Sequence, residues 1–170
     1  SCIAGGNNRF GQLGLAGQDH EKIPFTENDG FGGYAGVQKV TCGEAHSLFL
    51  LQDGTIVSCG QNLCGQLGRK SAGSSLEPIH ALEAQTIIDM SCGSNHSVAI
   101  CSEGNIFTWG NGLHGELGSG QVSQKSPIPR RITGLSDIKI IQVACGHYHT
   151  VSLSEDSSVF SWGKNDAGQL

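Results

Sequence analysis

Apolar and polar side chains alternate in short runs along most of the chain, and an acidic residue followed by glycine separates many neighbouring runs. One such pair is formed by residues 96–101 and 105–109, which flank Glu103-Gly104. Two alternating runs joined in this way are the strongest short-range signal of a β-hairpin. The pattern therefore predicts antiparallel strands. The predicted strands are 37–42, 46–52, 55–59, 86–92, 96–101, 105–109, 138–145, 149–154 and 158–162.

Two sequence markers recur in step with these hairpins. The marker Cys-Gly-x-x-His-Ser/Thr begins at Cys42, Cys92 and Cys145. The marker Gly-Gln/Glu-Leu-Gly begins at Gly11, Gly65 and Gly115, and a shortened copy begins at Gly168. Both markers give a period of about 50 residues, which falls among the periods of propellers and solenoids. A residue type that recurs once per unit is expected to serve the fold of that unit, so function is sought where the copies differ.

The fold class predicted from these patterns is all-β, a partial β-propeller of about three four-stranded blades. Residues 1–14 are predicted to end one blade, 15–68 and 69–118 to form repeats, and 119–170 to form an incomplete repeat. The chain begins and stops inside a unit, so we expect it to be a piece of a longer array. The segments that lead up to each Cys-Gly marker hold all four prolines and are predicted to cross the surface as loops.

The complete unit is similar to the repeat of the regulator of chromosome condensation family. The similarity rests on Gly-x-x-His-Ser, an apolar strand, an acidic-glycine turn, Trp-Gly-x-Asn and Gly-Gln-Leu-Gly, which recur through nearly the whole chain. That family forms seven-bladed β-propellers. The resemblance therefore implies that this chain is a piece of a seven-bladed ring.

Several segments are more narrowly similar to the propeller of the small HERC ubiquitin ligases: 137–149, 159–165, 46–51, 58–62 and 65–68. In those ligases the propeller lies on the N-terminal side of a HECT domain that holds the catalytic cysteine. The resemblance implies a protein-interaction segment that recruits substrates or regulators in ubiquitin or ubiquitin-like conjugation, with no catalytic centre of its own. The alternative, implied by the founding family member, is a guanine-nucleotide exchange or regulatory propeller that acts on a small GTPase.

Charge and cysteine content narrow the classes of partner. The 170 residues contain 10 Lys and Arg against 15 Asp and Glu, a net charge of −5, which disfavours broad binding to a nucleic-acid backbone. No apolar run of about 18 residues is present, so no membrane span is predicted. The seven cysteines are an odd number and lie mostly at repeat-equivalent strand positions. Free thiols in a reducing compartment explain them, and we expect a cytoplasmic protein.

The recurring histidines and cysteines do not predict a metal or cofactor site. In a strand, Cys and His four residues apart lie about 13 Å from each other, far beyond the ligand distances of about 2 Å at a zinc ion. We interpret His46, His96 and His149 as hydrogen-bonded structural residues. Cys64 is expected to be an exposed loop cysteine without an assigned base. The glycine-rich turns lack the Lys-Ser/Thr of a phosphate-binding loop.

Four residues are predicted to bind a partner. Lys125, Arg130 and Arg131 form a local basic cluster, for which a solvated loop is the alternative interpretation. His147 is an additional histidine that breaks the repeat pattern. Self-association is also predicted, because residues 1–6 match the returning strand 55–60 but lack the strand that precedes it in the other copies.

Overall fold

The computed structural model describes residues 2–17, 23–121 and 125–170. Short strands are the main regular structure in this part of the chain, and single turns of 3₁₀-helix span Asp29–Phe31, His80–Leu82 and Thr133–Leu135. The strands are β1 (Ile3–Gly6), β2 (Ile23–Glu27), β3 (Val37–Cys42), β4 (His46–Leu51), β5 (Ile56–Gly60), β6 (Gly73–Pro78), β7 (Ile87–Cys92), β8 (His96–Cys101), β9 (Ile106–Asn111), β10 (Lys125–Arg131), β11 (Ile140–Cys145), β12 (His149–Ser154) and β13 (Val159–Gly163).

The strands form successive antiparallel sheets that follow the chain order. Their orders are β1-β2, β3-β4-β5-β6, β7-β8-β9-β10 and β11-β12-β13. Each of the nine predicted strands is present, with ends within two residues of the prediction. The all-β class and the blade arrangement are therefore confirmed. No helix in the described part of the chain is long and apolar enough to cross a membrane.

The segments that hold the prolines are predicted to be surface loops, and this prediction is wrong in part. Each of them contains the last strand of a sheet. These last strands are β2, β6 and β10, and each pairs on one side only. Proline is tolerated at a sheet edge because its missing N–H faces no partner strand. In β10 the register shifts between Ser126 and Arg130, a stretch that holds Pro127 and Pro129. A sheet therefore combines three strands of one predicted repeat with an edge strand of the next, and the predicted repeat bounds stay a prediction.

The hydrophobic cores lie between neighbouring sheets. One core joins Leu48, Leu50 and Ile56 of the β3–β6 sheet to Met90 and Trp109 of the β7–β10 sheet. A second core joins the β7–β10 sheet to β11, with Val98, Ile100, Ile106, Ile140 and Val143 buried together. Each blade therefore buries its faces against its neighbours, as repeat architectures do.

The first strands of successive sheets, β3, β7 and β11, lie side by side. The backbone N–H of Cys92 donates to Thr41 Oγ1 at 3.1 Å, and that of Cys145 donates to Ser91 Oγ at 3.0 Å. Strand β10 is at the opposite edge of its sheet from β7. The blades thus have a shared edge at the first strands and a separate, outer edge at the last strands.

Candidate partner-binding surfaces

The histidine of the first marker joins each blade to the next. His46 Nε2 lies 3.0 Å from Ser97 Oγ, and the same hydroxyl donates to the main-chain oxygen of Gln66 at 2.8 Å. Because the Ser97 hydroxyl donates its single proton to Gln66 O, it can only accept a hydrogen bond from His46. His46 therefore carries a proton on Nε2 and donates it to Ser97 Oγ. Its Nδ1 is then an unprotonated nitrogen, and it is buried without a hydrogen-bond partner among the described residues.

The same joint recurs one blade further along. His96 Nε2 lies 3.0 Å from Thr150 Oγ1, which donates to Glu116 O at 3.4 Å. The His96 Nδ1 is also buried and unpartnered within the described ranges. Burial lowers the pKa of His46 to about 3 and that of His96 to about 4, and a neighbouring histidine contributes in each case. Both imidazoles are therefore neutral and hydrogen-bonded, which agrees with their interpretation as structural residues. His149 is half-buried, and for it the same role stays a prediction.

The glycine of the marker makes room for this imidazole. A Cβ on Gly93 would lie 2.0 Å from His96 Cε1 and 2.8 Å from Gly146 O. A Cβ on Gly43 would lie 2.1 Å from His46 Cε1. The spacing Cys-Gly-x-x-His is thus a packing requirement of the joint between blades.

The cysteines are poor candidates for nucleophiles. Burial raises the pKa of Cys59 to about 12 and that of Cys145 to about 11, and it also raises the pKa of Cys92. A thiol rather than a thiolate is present at each of these positions near neutral pH. Cys64 is half-buried rather than exposed, and its N–H donates to Gln66 Oε1 at 3.0 Å. All seven cysteines are free.

The described residues also contain no group of three or more His, Cys, Asp or Glu side chains that could hold a metal ion. The repeated histidines His46 and His96 and the buried cysteines Cys59 and Cys92 therefore have structural roles. Candidate functional residues have to be sought on the surface, where the copies of the repeat differ.

The three basic residues predicted to bind a partner lie around one cavity. Lys125, Arg130 and Arg131 line a cavity of about 570 Å³ beside the outer strand β10, and all three are exposed. Lys125 Nζ donates to Leu63 O of the preceding blade at 3.1 Å. The remaining walls of this basic cavity include Thr108, Leu117, Ser119, Ser126 and Ile132. Their role in binding stays a prediction.

His147 does not belong to the basic cavity. It lies where the loops between the first and second strands of three blades meet, close to Glu44 and Ser94. The Ser94 N–H donates to His147 O at 2.9 Å. The His147 ring contacts Tyr148 edge-on, with 4.2 Å between ring centroids, and Tyr148 also contacts His114 at 4.8 Å. The structure therefore separates the four predicted site residues into two surfaces.

The second surface, which we call the loop face, also exposes leucines that the sequence analysis missed. Leu63 is 74% exposed and Leu113 is 57% exposed, and they are equivalent positions in the loops that precede Gly-Gln/Glu-Leu-Gly. Each loop is fastened to the loop that holds the marker histidine, through Gln61 N to Ala45 O in one blade and the equivalent bond in the next. The signal for these leucines in the sequence was an apolar residue placed within a turn that is otherwise rich in glycine, asparagine and glutamine. Exposed apolar side chains on neighbouring blades are suited to a protein partner.

Comparison of the sequence with family models identifies the repeat. The model described as "Regulator of chromosome condensation (RCC1) repeat" matches residues 2–50, 53–100 and 103–153. A second model with the same description matches residues 37–66, 87–116 and 140–169. The matches cover most of the chain.

Curated relatives agree with the narrower resemblance. The human protein named "Probable E3 ubiquitin-protein ligase HERC4" is 53% identical over 165 residues, which are 97% of this chain and 16% of that protein. The human protein named "Probable E3 ubiquitin-protein ligase HERC6" is 48% identical over 130 residues, which are 75% of this chain and 13% of that protein. The chain thus spans less than a fifth of the length of these relatives.

Solved structures agree on the fold. Human WBSCR16 matches with a TM-score of 0.78 and 28% identity over 92% of this chain and 41% of that chain. Yeast RCC1 (Prp20), solved with Kap60, matches with a TM-score of 0.79 and 21% identity over 96% of this chain and 39% of that chain. The second likeness is too distant in sequence to bear on more than the fold, and both agree with the partial propeller.

Proposed function

The chain belongs to the regulator of chromosome condensation (RCC1) repeat family, and on this premise we propose that it recruits substrates or regulators for a HERC-type E3 ligase in ubiquitin or ubiquitin-like conjugation. Relatives at 53% and 48% identity carry names of probable E3 ubiquitin-protein ligases. Because the chain spans only 16% and 13% of those proteins, the ligase activity itself is proposed for a longer protein that contains this chain.

The observation that carries this proposal is a division between repeated and variable residues. The repeated histidines and glycines form the joints between blades, and Cys92 and Cys101 are buried in the core between two sheets. The residues that differ between copies or project from the blades, among them Leu63, Leu113 and His147, are exposed on the loop face. A rigid scaffold that presents variable surface residues is the usual arrangement of a binding module.

The proposal is tested with the full-length protein in a reconstituted conjugation reaction. The double variant Leu63→Asp with Leu113→Asp places charges on the loop face, and we expect conjugation of the recruited protein to fall about tenfold or more, which corresponds to about 1.4 kcal/mol or more of binding free energy. Formation of the thioester on the ligase, which needs no recruited protein, is expected to stay unchanged.

The matched control is Ala84→Asp, since Ala84 is exposed in the turn at the other end of the strands. Equal conjugation by the Leu63/Leu113 double variant and by the control would contradict recruitment through the loop face. A full-length protein without a HECT domain would remove the ligase part of the proposal and leave the binding module.

Three other expectations stay predictions. Guanine-nucleotide exchange on a small GTPase is not favoured by a particular feature of the described residues, and a nucleotide-release assay tests it. A cytoplasmic location is proposed from the free thiols. Self-association is tested by sedimentation velocity across a concentration series, where a single monomer at all concentrations would contradict it.

A further inference from the structure

The residue that directly follows Gly-Gln/Glu-Leu-Gly differs between blades in size and burial. Leu15 occupies this position in the first copy and is 4% exposed, and Arg69 occupies it in the second and is 9% exposed. Ser119 occupies it in the third copy and is exposed. A large side chain therefore fills the position in two blades and is missing from the third, where the basic cavity lies.

Arg69 shows what this position holds when it is filled. Its Nη2 donates to Ser58 O at 2.9 Å and to Ser75 O at 2.8 Å, and its Nε donates to Ser58 Oγ at 3.1 Å. The carboxylate of Glu77 lies 3.4 Å from Arg69 Nη1. The blade thus fills its own cavity with a guanidinium and supplies a carboxylate beside it.

The next blade reverses this charge arrangement. Glu77 pairs with Ser58 across strands β5 and β6, and Arg130 pairs with Thr108 across the equivalent strands β9 and β10. Arg130 therefore stands where the preceding blade has Glu77. Ser119, which stands where that blade has Arg69, donates only to the nearby Gln121 O, at 3.0 Å.

The cavity left by this exchange is positively charged. Lys125, Arg130 and Arg131 line it, and its described lining contains no Asp or Glu. The two arginines form no ion pair with any residue that the structure describes. Because the whole chain carries a net charge of −5, this concentration of cations is local. Unpaired guanidinium groups favour carboxylates, which they bind with charge-assisted hydrogen bonds.

We propose that the basic cavity beside β10 binds an acidic segment of a partner protein, with a Glu or Asp carboxylate of that segment paired with Arg130. The carboxylate of the partner would take the place that the Arg69 guanidinium has in the preceding blade, so its pair with Arg130 would be the Arg69–Glu77 pair with the charges reversed. A protein is favoured over a nucleic acid because the cations surround a single cavity of an acidic chain rather than forming a long basic stripe. This inference deepens the proposed function by naming the chemistry of the partner, and it requires no ligase domain.

The test measures fluorescence anisotropy of a fluorescein-labelled peptide of six glutamates with the full-length protein. We expect Arg130→Gln to weaken binding about tenfold, because a charge-assisted guanidinium–carboxylate pair is lost. The control Lys139→Gln removes the same charge from an exposed Lys139–Glu155 pair, and we expect it to leave the affinity within about twofold.

A second variant separates loss of the site from loss of the fold. The double substitution Ser119→Arg with Arg130→Glu rebuilds the Arg69–Glu77 arrangement of the preceding blade. We expect it to keep the circular dichroism spectrum and the thermal midpoint of the unsubstituted protein and to lose binding of the glutamate peptide about tenfold or more.

Three results would overturn the inference. The first is an equal loss of binding in Arg130→Gln and Lys139→Gln, and the second is equal binding of a six-glutamine peptide. The third is Arg130-dependent binding of a labelled single-stranded oligonucleotide that is as tight as that of the glutamate peptide, which would assign the cavity to nucleic acid. The readout involves neither the loop face nor ligase activity, so its failure is distinguishable from failure of the proposed function.

Discussion

The buried histidines of the blade joints predict a strong dependence of stability on pH. In the folded protein burial lowers the pKa of His46 to about 3 and that of His96 to about 4, whereas an unfolded histidine titrates near 6.5. Below pH 6.5 the unfolded chain therefore binds protons that the folded chain does not. The joints contribute their full stability above pH 6.5, and this contribution is lost progressively as the pH falls towards 4 for His96 and 3 for His46.

The size of the effect follows from these pKa values. Proton linkage gives a loss of about 2 kcal/mol per histidine between pH 7 and pH 5, and therefore about 4 kcal/mol for the pair. Such a loss is a large part of the 5–15 kcal/mol typical of a folded domain, so it is readily measured. The structural cause is specific: protonation has to occur at Nδ1, which is buried without a hydrogen-bond partner among the described residues.

The assay is urea unfolding at pH 7, 6 and 5, followed by far-ultraviolet circular dichroism. The variant His96→Gln keeps an amide donor for Thr150 Oγ1 but cannot titrate, so we expect it to lower the free energy of unfolding at pH 7 and to reduce the change between pH 7 and pH 5 by about half. The exposed histidines are present in both proteins and cancel in the comparison. The reasoning would be refuted by an unchanged pH dependence in His96→Gln, or by a change below about 1 kcal/mol in the unsubstituted protein.

Two further predictions concern packing between blades. Trp109→Ala should lower the free energy of unfolding by about 3–5 kcal/mol, because the ring is fully buried and its Nε1 donates to Gln66 O at 2.9 Å; a loss below about 1 kcal/mol in urea unfolding would show that the ring is not part of the core. Gly93→Ala should lower the free energy of unfolding by about 1–3 kcal/mol, because the added Cβ clashes with His96. The matched control is Gly134→Ala, whose added Cβ has no atom within 4 Å, and equal thermal midpoints for the two variants would disprove the packing argument.

Alternation of apolar and polar residues was sufficient to predict the first three strands of the blades but not the last. Strand β10 reads Lys-Ser-Pro-Ile-Pro-Arg-Arg, in which two prolines and three cations hide any alternation. Proline usually marks a break within a strand, yet an edge strand needs hydrogen bonds on one side only. The sheet edge is a property of the tertiary structure, so local sequence could not distinguish these strands from loops.

The candidate site was predictable only in part for a related reason. Lys125, Arg130 and Arg131 are visible as a basic cluster, but the cavity exists because Ser119 is small where Arg69 is large. The segment from Gly118 to Arg130 is also three residues longer than the equivalent segment in the preceding blade, from Gly68 to Glu77. The charge reversal at Arg130 therefore appears only when strand pairing defines which residues are equivalent.

The joints between blades explain how the loop face can vary in sequence without loss of its geometry. The main-chain oxygen of Gln66 accepts hydrogen bonds from Ser97 Oγ at 2.8 Å and from Trp109 Nε1 at 2.9 Å, both in the following blade. Because the acceptor is a backbone atom, these two hydrogen bonds do not depend on which side chain stands at position 63. Leu63 can therefore project from a loop that is held at a fixed position by the next blade. A side chain presented in this way loses little conformational freedom of the backbone on binding, which favours affinity for a partner.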